Sequence, residues 1–375
     1  MIRHPIIAVI GLGTMGLGIA QTYAAAGFVV LATDAHAPTR DTAVARLGAA
    51  LAKRVAAGKL EPALREATLA NLTVVAGLPD LGRADLVIEA IVENLTAKQS
   101  LFAALERIIS PDAILATNTS SLSVAAVANG LQDPRRLLGL HFFNPAPVMR
   151  LVELIAHATT SQAALTLART VTETAGKTVI QCPDRPGFIV NRCARPYYGE
   201  ALAILEEGRT PSDIDAAMQM AGYPLGPFAL IDLIGADINL AATEGLYAAM
   251  DGHPRYYPFD ALRAAVAAGR LGRKSGQGFV HPGVPGPVPH DAAQIVERIQ
   301  ATLINEAGFL LSEGAILAQD IDTAVLLGLN FPQGPFQALS MIGKPRILAV
   351  LAALHAAAPP ALKTRYLPAP ILSMP

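Results

Sequence analysis

Short β-branched runs alternate with helical stretches along the first half of the chain. The runs predict strands at 6–10, 28–33, 72–75, 85–91, 113–117, 137–142, 151–155 and 177–181. Strands alternating with helices imply parallel pairing in a doubly wound sheet. Between the second and third strands, a helical excursion over about 38–70 carries Arg40, Arg46, Lys53, Arg54 and Lys59. After Pro186 the strand signals stop, and 187–270 reads as helices broken by Gly and Pro. Pro and Gly then dominate 281–290, which reads as a stiff, exposed linker and a domain boundary.

An internal repeat spans that linker. Ile189-Val190-Asn191-Arg192 aligns with Ile295-Val296-Glu297-Arg298, and Glu200-Ala201 with Glu306-Ala307. Asp213-Ile214-Asp215 aligns with Asp320-Ile321-Asp322, and Gly226-Pro227-Phe228 with Gly334-Pro335-Phe336. An almost constant offset over four landmarks indicates a duplicated helical module. Each copy is expected to hide an apolar face that the other covers. The chain therefore divides into an α/β domain (1–185), a first all-α copy (186–280), the linker (281–290) and a second all-α copy (291–375).

Composition removes several functions. A net charge of −1 gives no field to gather nucleic acid or an anionic membrane. Cys182 and Cys193 have neither metal-ligand nor disulfide-framework spacing, which suits a reducing compartment, and the expected location is the cytoplasm. The stretch 4–33 lacks charged residues and is long enough to cross a bilayer. Its β-branched ends, glycine-dense turn and alanine-rich middle read instead as strand, turn, helix and strand.

That turn is Gly11-Leu12-Gly13-Thr14-Met15-Gly16. Gly11 makes the tight turn, Gly13 lets backbone approach a pyrophosphate, and Gly16 lets helix and strand pack closely. The helix N-terminus offers free N–H groups to phosphates. Asp34 ends the second strand, where a carboxylate accepts hydrogen bonds from the adenine ribose hydroxyls and repels a 2′-phosphate. The order strand, glycine loop, helix, strand, Asp predicts a Rossmann-type domain that binds NAD rather than NADP.

Further motifs follow in order: Glu89-Ala90-Ile91-Val92-Glu93-Asn94, Thr117-Asn118-Thr119-Ser120-Ser121, and Gly139-Leu140-His141-Phe142-Phe143-Asn144-Pro145. After them come Leu151-Val152-Glu153, Pro186-Gly187-Phe188-Ile189-Val190-Asn191-Arg192 and Gly272-Arg273-Lys274-Ser275-Gly276-Gln277-Gly278-Phe279. Over about residues 5–280 the chain resembles the 3-hydroxyacyl-CoA dehydrogenase family. The resemblance implies His141 as catalytic base, Glu153 as its partner, and Ser120 and Asn191 on the substrate. It implies cofactor contacts from Gly11, Gly13, Thr14, Met15, Gly16 and Asp34, with Glu93 near the nicotinamide ribose and Lys98 and Asn118 close to cofactor and substrate. The larger multifunctional fatty-acid oxidation proteins, which the two-copy arrangement resembles, use the second copy to mimic a dimer partner. A monomer packed as a pseudo-dimer and a true homodimer are both compatible with it. In the second copy Glu297 stands where Asn191 would be, and no second His–Glu pair follows the linker. The second copy is thus expected to be structural, and dehydrogenase activity is expected without hydratase activity. Robust turnover of an enoyl-CoA would overturn that expectation.

The residue types suit the chemistry. Oxidising a secondary alcohol sends a hydride to the cofactor and a proton to a base, and histidine titrates near neutrality. A buried carboxylate on its other ring nitrogen sets the tautomer and stabilises the imidazolium. Neutral donors such as Ser120 and Asn191 meet developing charge on the substrate oxygen. The site is expected in the cleft between domains. Ser120 has a second reading as a helix cap, and Glu93 as a solvated loop-end charge. The basic excursion either grips coenzyme A phosphates or is a wet helix face. Two other functions share much of this pattern: a same-fold dehydrogenase of a free hydroxy or sugar acid, and a non-catalytic, crystallin-like NAD-binding protein.

Overall fold

The computed structural model describes residues 4–373. The chain forms two compact units, Met1–Arg185 and Pro186–Pro375.

In the first unit the strands are β1 (Ile7–Ile10), β2 (Val30–Thr33), β3 (Leu72–Val74), β4 (Leu86–Glu89), β5 (Ile114–Thr117), β6 (Leu137–Phe142), β7 (Leu151–Ala156) and β8 (Thr178–Pro183). They make one sheet in the order β3-β2-β1-β4-β5-β6-β7-β8. The helices are α1 (Thr14–Ala25), α2 (Ala37–Asp41), α3 (Ala43–Ala56), α4 (Pro62–Ala70), α5 (Leu95–Leu105), α6 (Val124–Ala128) and α7 (Gln162–Thr174). β1, β2, β4 and β5 are buried at every position, as expected of parallel strands covered on both faces. The core beneath α1 gathers Ile7, Val9, Ile19, Tyr23, Phe28 and Val30.

The sheet departs from all-parallel pairing at one place: β7 runs antiparallel to β6. Only residues 143–150 join them, and a parallel crossover needs a dozen or more. This reversal sets His141 directly opposite Glu153 in the ladder.

The stretch weighed as a membrane span is β1, the twelve-residue α1 and β2. Among the described residues, no single helix is long and apolar enough to cross a membrane.

The second unit contains α8 (Val190–Cys193), α9 (Arg195–Glu206), α10 (Pro211–Met220), α11 (Pro227–Ile234), α12 (Ala236–Ala249) and α13 (Asp260–Ala267). Beyond the linker come α14 (Ala292–Ser312), α15 (Ala318–Leu329), α16 (Pro335–Ile342), α17 (Lys344–Ala357) and α18 (Pro370–Ser373). The same contacts recur on either side of the linker. Asp215 accepts the Phe228 and Ala229 amides at 2.9 and 2.7 Å, and Asp322 accepts those of Phe336 and Gln337 at 2.8 and 3.0 Å. A Cβ at Gly226 or Gly334 would lie 2.3 Å from the carboxyl carbon of that aspartate, so each landmark glycine admits its carboxylate.

The ion pairs are reciprocal. Arg192 Nε donates to Glu306 at 2.7 Å and its two Nη groups to Glu313, at 2.9 and 2.6 Å. Arg298 Nε donates to Glu200 at 2.7 Å and its Nη groups to Glu207, at 2.6 and 2.7 Å. Arg255 and Tyr256 complete the first cluster at Glu306; Arg365 and Tyr366 complete the second at Glu200. Glu297, at the register of Asn191, is held by Arg346 on α17.

Candidate active site

β1, β2, β4, β5 and β6 run parallel, so their C-terminal ends share one edge of the sheet. Ligands bind at that edge in open α/β sheets. The glycine turn follows β1. Gly11 has φ +91°, and a Cβ there would lie 2.5 Å from Ala90 O, so both conformation and space require glycine. A Cβ on Gly16 would overlap Gly11 O, whereas nothing lies within 4 Å of one at Gly13. Gly13 therefore opens onto clear space, at the N-cap of α1, with no side-chain cap on the helix. Thr14 is exposed and Met15 half-buried beside it. Uncapped first-turn amides facing open space fit a pyrophosphate.

Asp34 stands at the end of β2, accepting the Leu12 amide at 2.7 Å and the His36 amide at 2.8 Å. These bonds pin the carboxylate to the glycine turn and leave lone pairs for ribose hydroxyls. Within the basic excursion, Arg46 has a local task. Its guanidinium donates to Leu12 O at 2.8 Å and to Thr39 O at 3.0 Å, bracing the same turn. Arg40 pairs with Asp41. Lys53 and Lys59 are exposed. Arg54 lines a cleft of about 410 Å³ with Arg150 and Lys177. Lys177 donates to Ala146 O and Met149 O, and burial lowers its pKa to about 8.

On β6, His141 Nδ1 lies 2.6 Å from Glu153 Oε2, with the histidine 6% exposed and the glutamate fully buried. Phe143 packs against the imidazole at 4.5 Å between centroids. With the Nδ1 proton held by a carboxylate, Nε2 is the nitrogen that could accept a proton. One residue further along, the Phe142 amide donates to Asn118 Oδ1 at 2.9 Å, tying the end of β5 to the histidine strand.

The turn after β5 is organised by Glu93. Its Oε1 accepts Thr119 Oγ1 at 2.6 Å, the Ser120 amide at 3.0 Å, and the Ser121 amide and hydroxyl at 3.1 and 2.9 Å. Burial pushes the Glu93 pKa up, but the Thr119 hydroxyl, the Lys98 charge, the Ser121 hydroxyl and the Ser120 amide together hold it below the usual range. The helix-cap reading of Ser120 is corrected: Ser123 caps α6, accepting the Ala126 amide, and Ser120 itself is exposed.

Lys98 is 1% exposed, with its ammonium 2.6 Å from Glu89 and 3.2 Å from Glu93. It reaches the site through those carboxylates. Glu89, fully buried, also accepts the Ile91 amide and the Thr117 hydroxyl, both at 2.7 Å. Glu89, Thr117, Thr119 and Ser121 lie within the motifs of the sequence, but the pattern alone gives them no role. The available signal was two glutamates four apart after an apolar strand, with a lysine soon after. In the second unit, Asn191 sits on α8, beside Arg192 and its two glutamates. Among the described residues no group of three or more His, Cys, Asp or Glu could hold a metal ion.

An uncapped glycine turn, a carboxylate at the end of the second strand and a buried histidine–glutamate pair on one sheet fit a nicotinamide-dependent dehydrogenase. The comparisons with known proteins agree. The model of the 3-hydroxyacyl-CoA dehydrogenase NAD-binding domain matches residues 6–185, and that of the C-terminal domain matches 187–281 and 295–374. The chain belongs to the 3-hydroxyacyl-CoA dehydrogenase family, with NAD as cofactor. It is 45% identical to the 3-hydroxyadipyl-CoA dehydrogenase of Escherichia coli K12 over 280 residues, which is 74% of this chain and 59% of that protein. It is 40% identical over 275 residues to a probable 3-hydroxybutyryl-CoA dehydrogenase of Bacillus subtilis, covering 73% of this chain and 96% of that one. The crystal structure of a 3-hydroxybutyryl-CoA dehydrogenase from E. coli K12 superposes with a TM-score of 0.90 at 34% identity. That match covers 99% of this chain and 98% of the other.

Proposed function

We propose that the chain interconverts (S)-3-hydroxyacyl-CoA and 3-ketoacyl-CoA, with His141 as the general base and Glu153 as its orienting partner. The observation that carries this reading is the 2.6 Å contact between the two buried side chains across adjacent strands. Bound NAD supplies the hydride acceptor. His141 Nε2 takes the hydroxyl proton while Glu153 stabilises the imidazolium that results. Ser120 and Asn191 donate to the substrate oxygen as its charge develops. Glu93, fastened by the 119–121 turn and Lys98, holds Ser120 in place and faces the cofactor ribose. Asn118 keeps β5 and β6 in step. Arg54, Arg150 and Lys177, three cations around one cleft with no carboxylate in its lining, suit the phosphates of coenzyme A. A small free hydroxy acid, with a single carboxylate, needs fewer cations than the several phosphate charges of coenzyme A.

We further propose that 186–280 and 291–375 are two copies of one helical module, packed as an intramolecular pseudo-dimer. The exchanged pairs Arg192–Glu306 and Arg298–Glu200 support this. So do the matching aspartate caps and the two segments matched by the C-terminal-domain model. The domain limits at 185 and 281–290 belong to the same reading.

Steady-state reduction of acetoacetyl-CoA with NADH tests the assigned reaction; absence of turnover with that and longer 3-ketoacyl-CoAs would end it. Cofactor choice is tested alongside. Asp34 would face the 2′-phosphate of NADP, and like charges brought together cost several kcal/mol, so kcat/KM with NADPH should be at least about 100-fold lower than with NADH. Asp34→Ala should narrow that ratio. An unchanged ratio would remove Asp34 from ribose recognition.

A further inference from the structure

Arg195 begins α9, one helical turn past Asn191. Ala194 keeps right-handed helical backbone between α8 and α9 (φ −75°, ψ −21°). Arg195 is 7% exposed. Buried guanidinium groups ordinarily rest on carboxylates. Arg192 and Arg365, buried in the same unit, do so, on Glu306 and Glu200. Among the described residues, Arg195 has only neutral partners. Nε donates to Asn191 O at 3.1 Å, and Nη1 to Thr243 Oγ1 at 3.0 Å and Asn239 O at 3.5 Å. The guanidinium carbon lies 4.9 Å from the Tyr198 ring centroid. Burial without a counter-ion lowers its pKa.

A second observation lies on the facing helix, α12. Asn239 is 2% exposed, yet neither its side-chain nitrogen nor its oxygen has a hydrogen-bond partner among the described residues. A buried amide left unsatisfied is destabilising, and native structures rarely keep one without a use. Arg195, Asn239 and Thr243 thus make a small polar nest that contains a cation and lacks an anion.

We infer that this nest receives the terminal carboxylate of a dicarboxylyl-CoA substrate. The inference rests on the reading above, in which Asn191 holds the oxygen at C3. Side chains four apart on a helix lie about 6 Å from each other on one face. A six-carbon 3-hydroxy diacyl thioester carries its free carboxylate a few bonds beyond C3, on the side away from the thioester. The carboxylate would complete the charge of Arg195 and accept from the Asn239 amide. A chain ending in methyl would leave both unpaired, and sites built to bond a polar group reject analogues that lack it.

The test compares NADH-dependent reduction of 3-oxoadipyl-CoA and acetoacetyl-CoA by wild type, Arg195→Met and Thr243→Val. Loss of a buried, charge-assisted pair is expected to lower kcat/KM for 3-oxoadipyl-CoA about 100-fold in Arg195→Met. Acetoacetyl-CoA should change less than about threefold, because it makes no such bond. Thr243→Val should lower the same ratio by roughly tenfold, the effect of one lost hydrogen bond to a charged group. The Tm of Arg195→Met should not fall, since the substitution removes a buried charge that has no counter-ion. Equal losses on both substrates, or a wild type indifferent to the terminal carboxylate, would overturn the inference. If Arg195→Met fails to fold, unchanged selectivity in Thr243→Val overturns it alone. A wild type that reduces acetoacetyl-CoA without favouring 3-oxoadipyl-CoA defeats only this assignment. One that reduces neither defeats the proposed reaction as well.

Discussion

His141→Ala should lower kcat for 3-ketoacyl-CoA reduction at least ~100-fold, the usual contribution of a positioned acid–base group. Affinity for NADH, read by fluorescence titration, stays near wild type, because the glycine turn and Asp34 lie on β1 and β2 while the histidine lies on β6. Glu153→Gln keeps the shape but removes the charge that stabilises the imidazolium, and at least a tenfold loss is expected on the same grounds, about 1.4 kcal/mol or more. The two substitutions act on one unit, so the double variant should be scarcely slower than His141→Ala alone. Near-normal turnover by His141→Ala would remove it from the assigned role. Multiplying losses in the double variant would show that Glu153 acts elsewhere.

The second large effect concerns stability. Glu200 and Glu207 bond the same arginine, Arg298, at 2.7 Å and at 2.6 and 2.7 Å. Distance alone would rank them equal. Burial separates them: the Glu200 side chain is fully buried and that of Glu207 is 57% exposed. Removing one partner of a buried pair costs roughly 3–5 kcal/mol, because it strands the other charge. An exposed pair contributes about 0–1 kcal/mol. Glu200→Ala should therefore lower Tm by about 10 °C or more, and Glu207→Ala by no more than about 4 °C. Similar shifts in calorimetry would show that burial does not govern this cluster.

The pH dependence follows. Burial pushes the Glu200 pKa up, but Arg365 and Arg298 overcome it and hold it below the usual carboxylate range. A depressed folded-state pKa gives stability that is present above the unfolded value and lost as pH falls through the folded one. Wild type should lose stability over that acidic window, and Glu200→Gln should show a flatter profile there.

Much of this architecture was legible in the residue order. All eight strands were anticipated, because runs such as Ile7–Ile10 are apolar throughout and Leu86–Glu89 is apolar up to its last residue. The glycine turn, Asp34, His141 and Glu153 could each be picked out one by one. Strand direction at β7 was missed, although its signal was present: the connection 143–150 is too short for a crossover. The resemblance put Lys98 and Asn118 near cofactor and substrate, but the side chains they touch, and any part for Glu89, were not legible, because each depends on which groups meet at the sheet edge. Lys98 resembles a solvent-facing lysine on a helix; only the fold buries it between Glu89 and Glu93.

Residue order by itself determined the nature of the first domain, its cofactor and the family, since these rest on short-range patterns: apolar period, glycine placement, and an acidic residue at a strand end. It also showed the helical landmarks recurring at a near-constant offset. Tertiary structure alone decided that a reversed β7 sets Glu153 opposite His141, that Arg192 and Arg298 each answer a glutamate about a hundred residues away, and that Arg195 is buried without a counter-ion. The physical reason is that ion pairing and burial depend on distance through space, and a linear pattern carries no information about which distant side chains exclude water from one another.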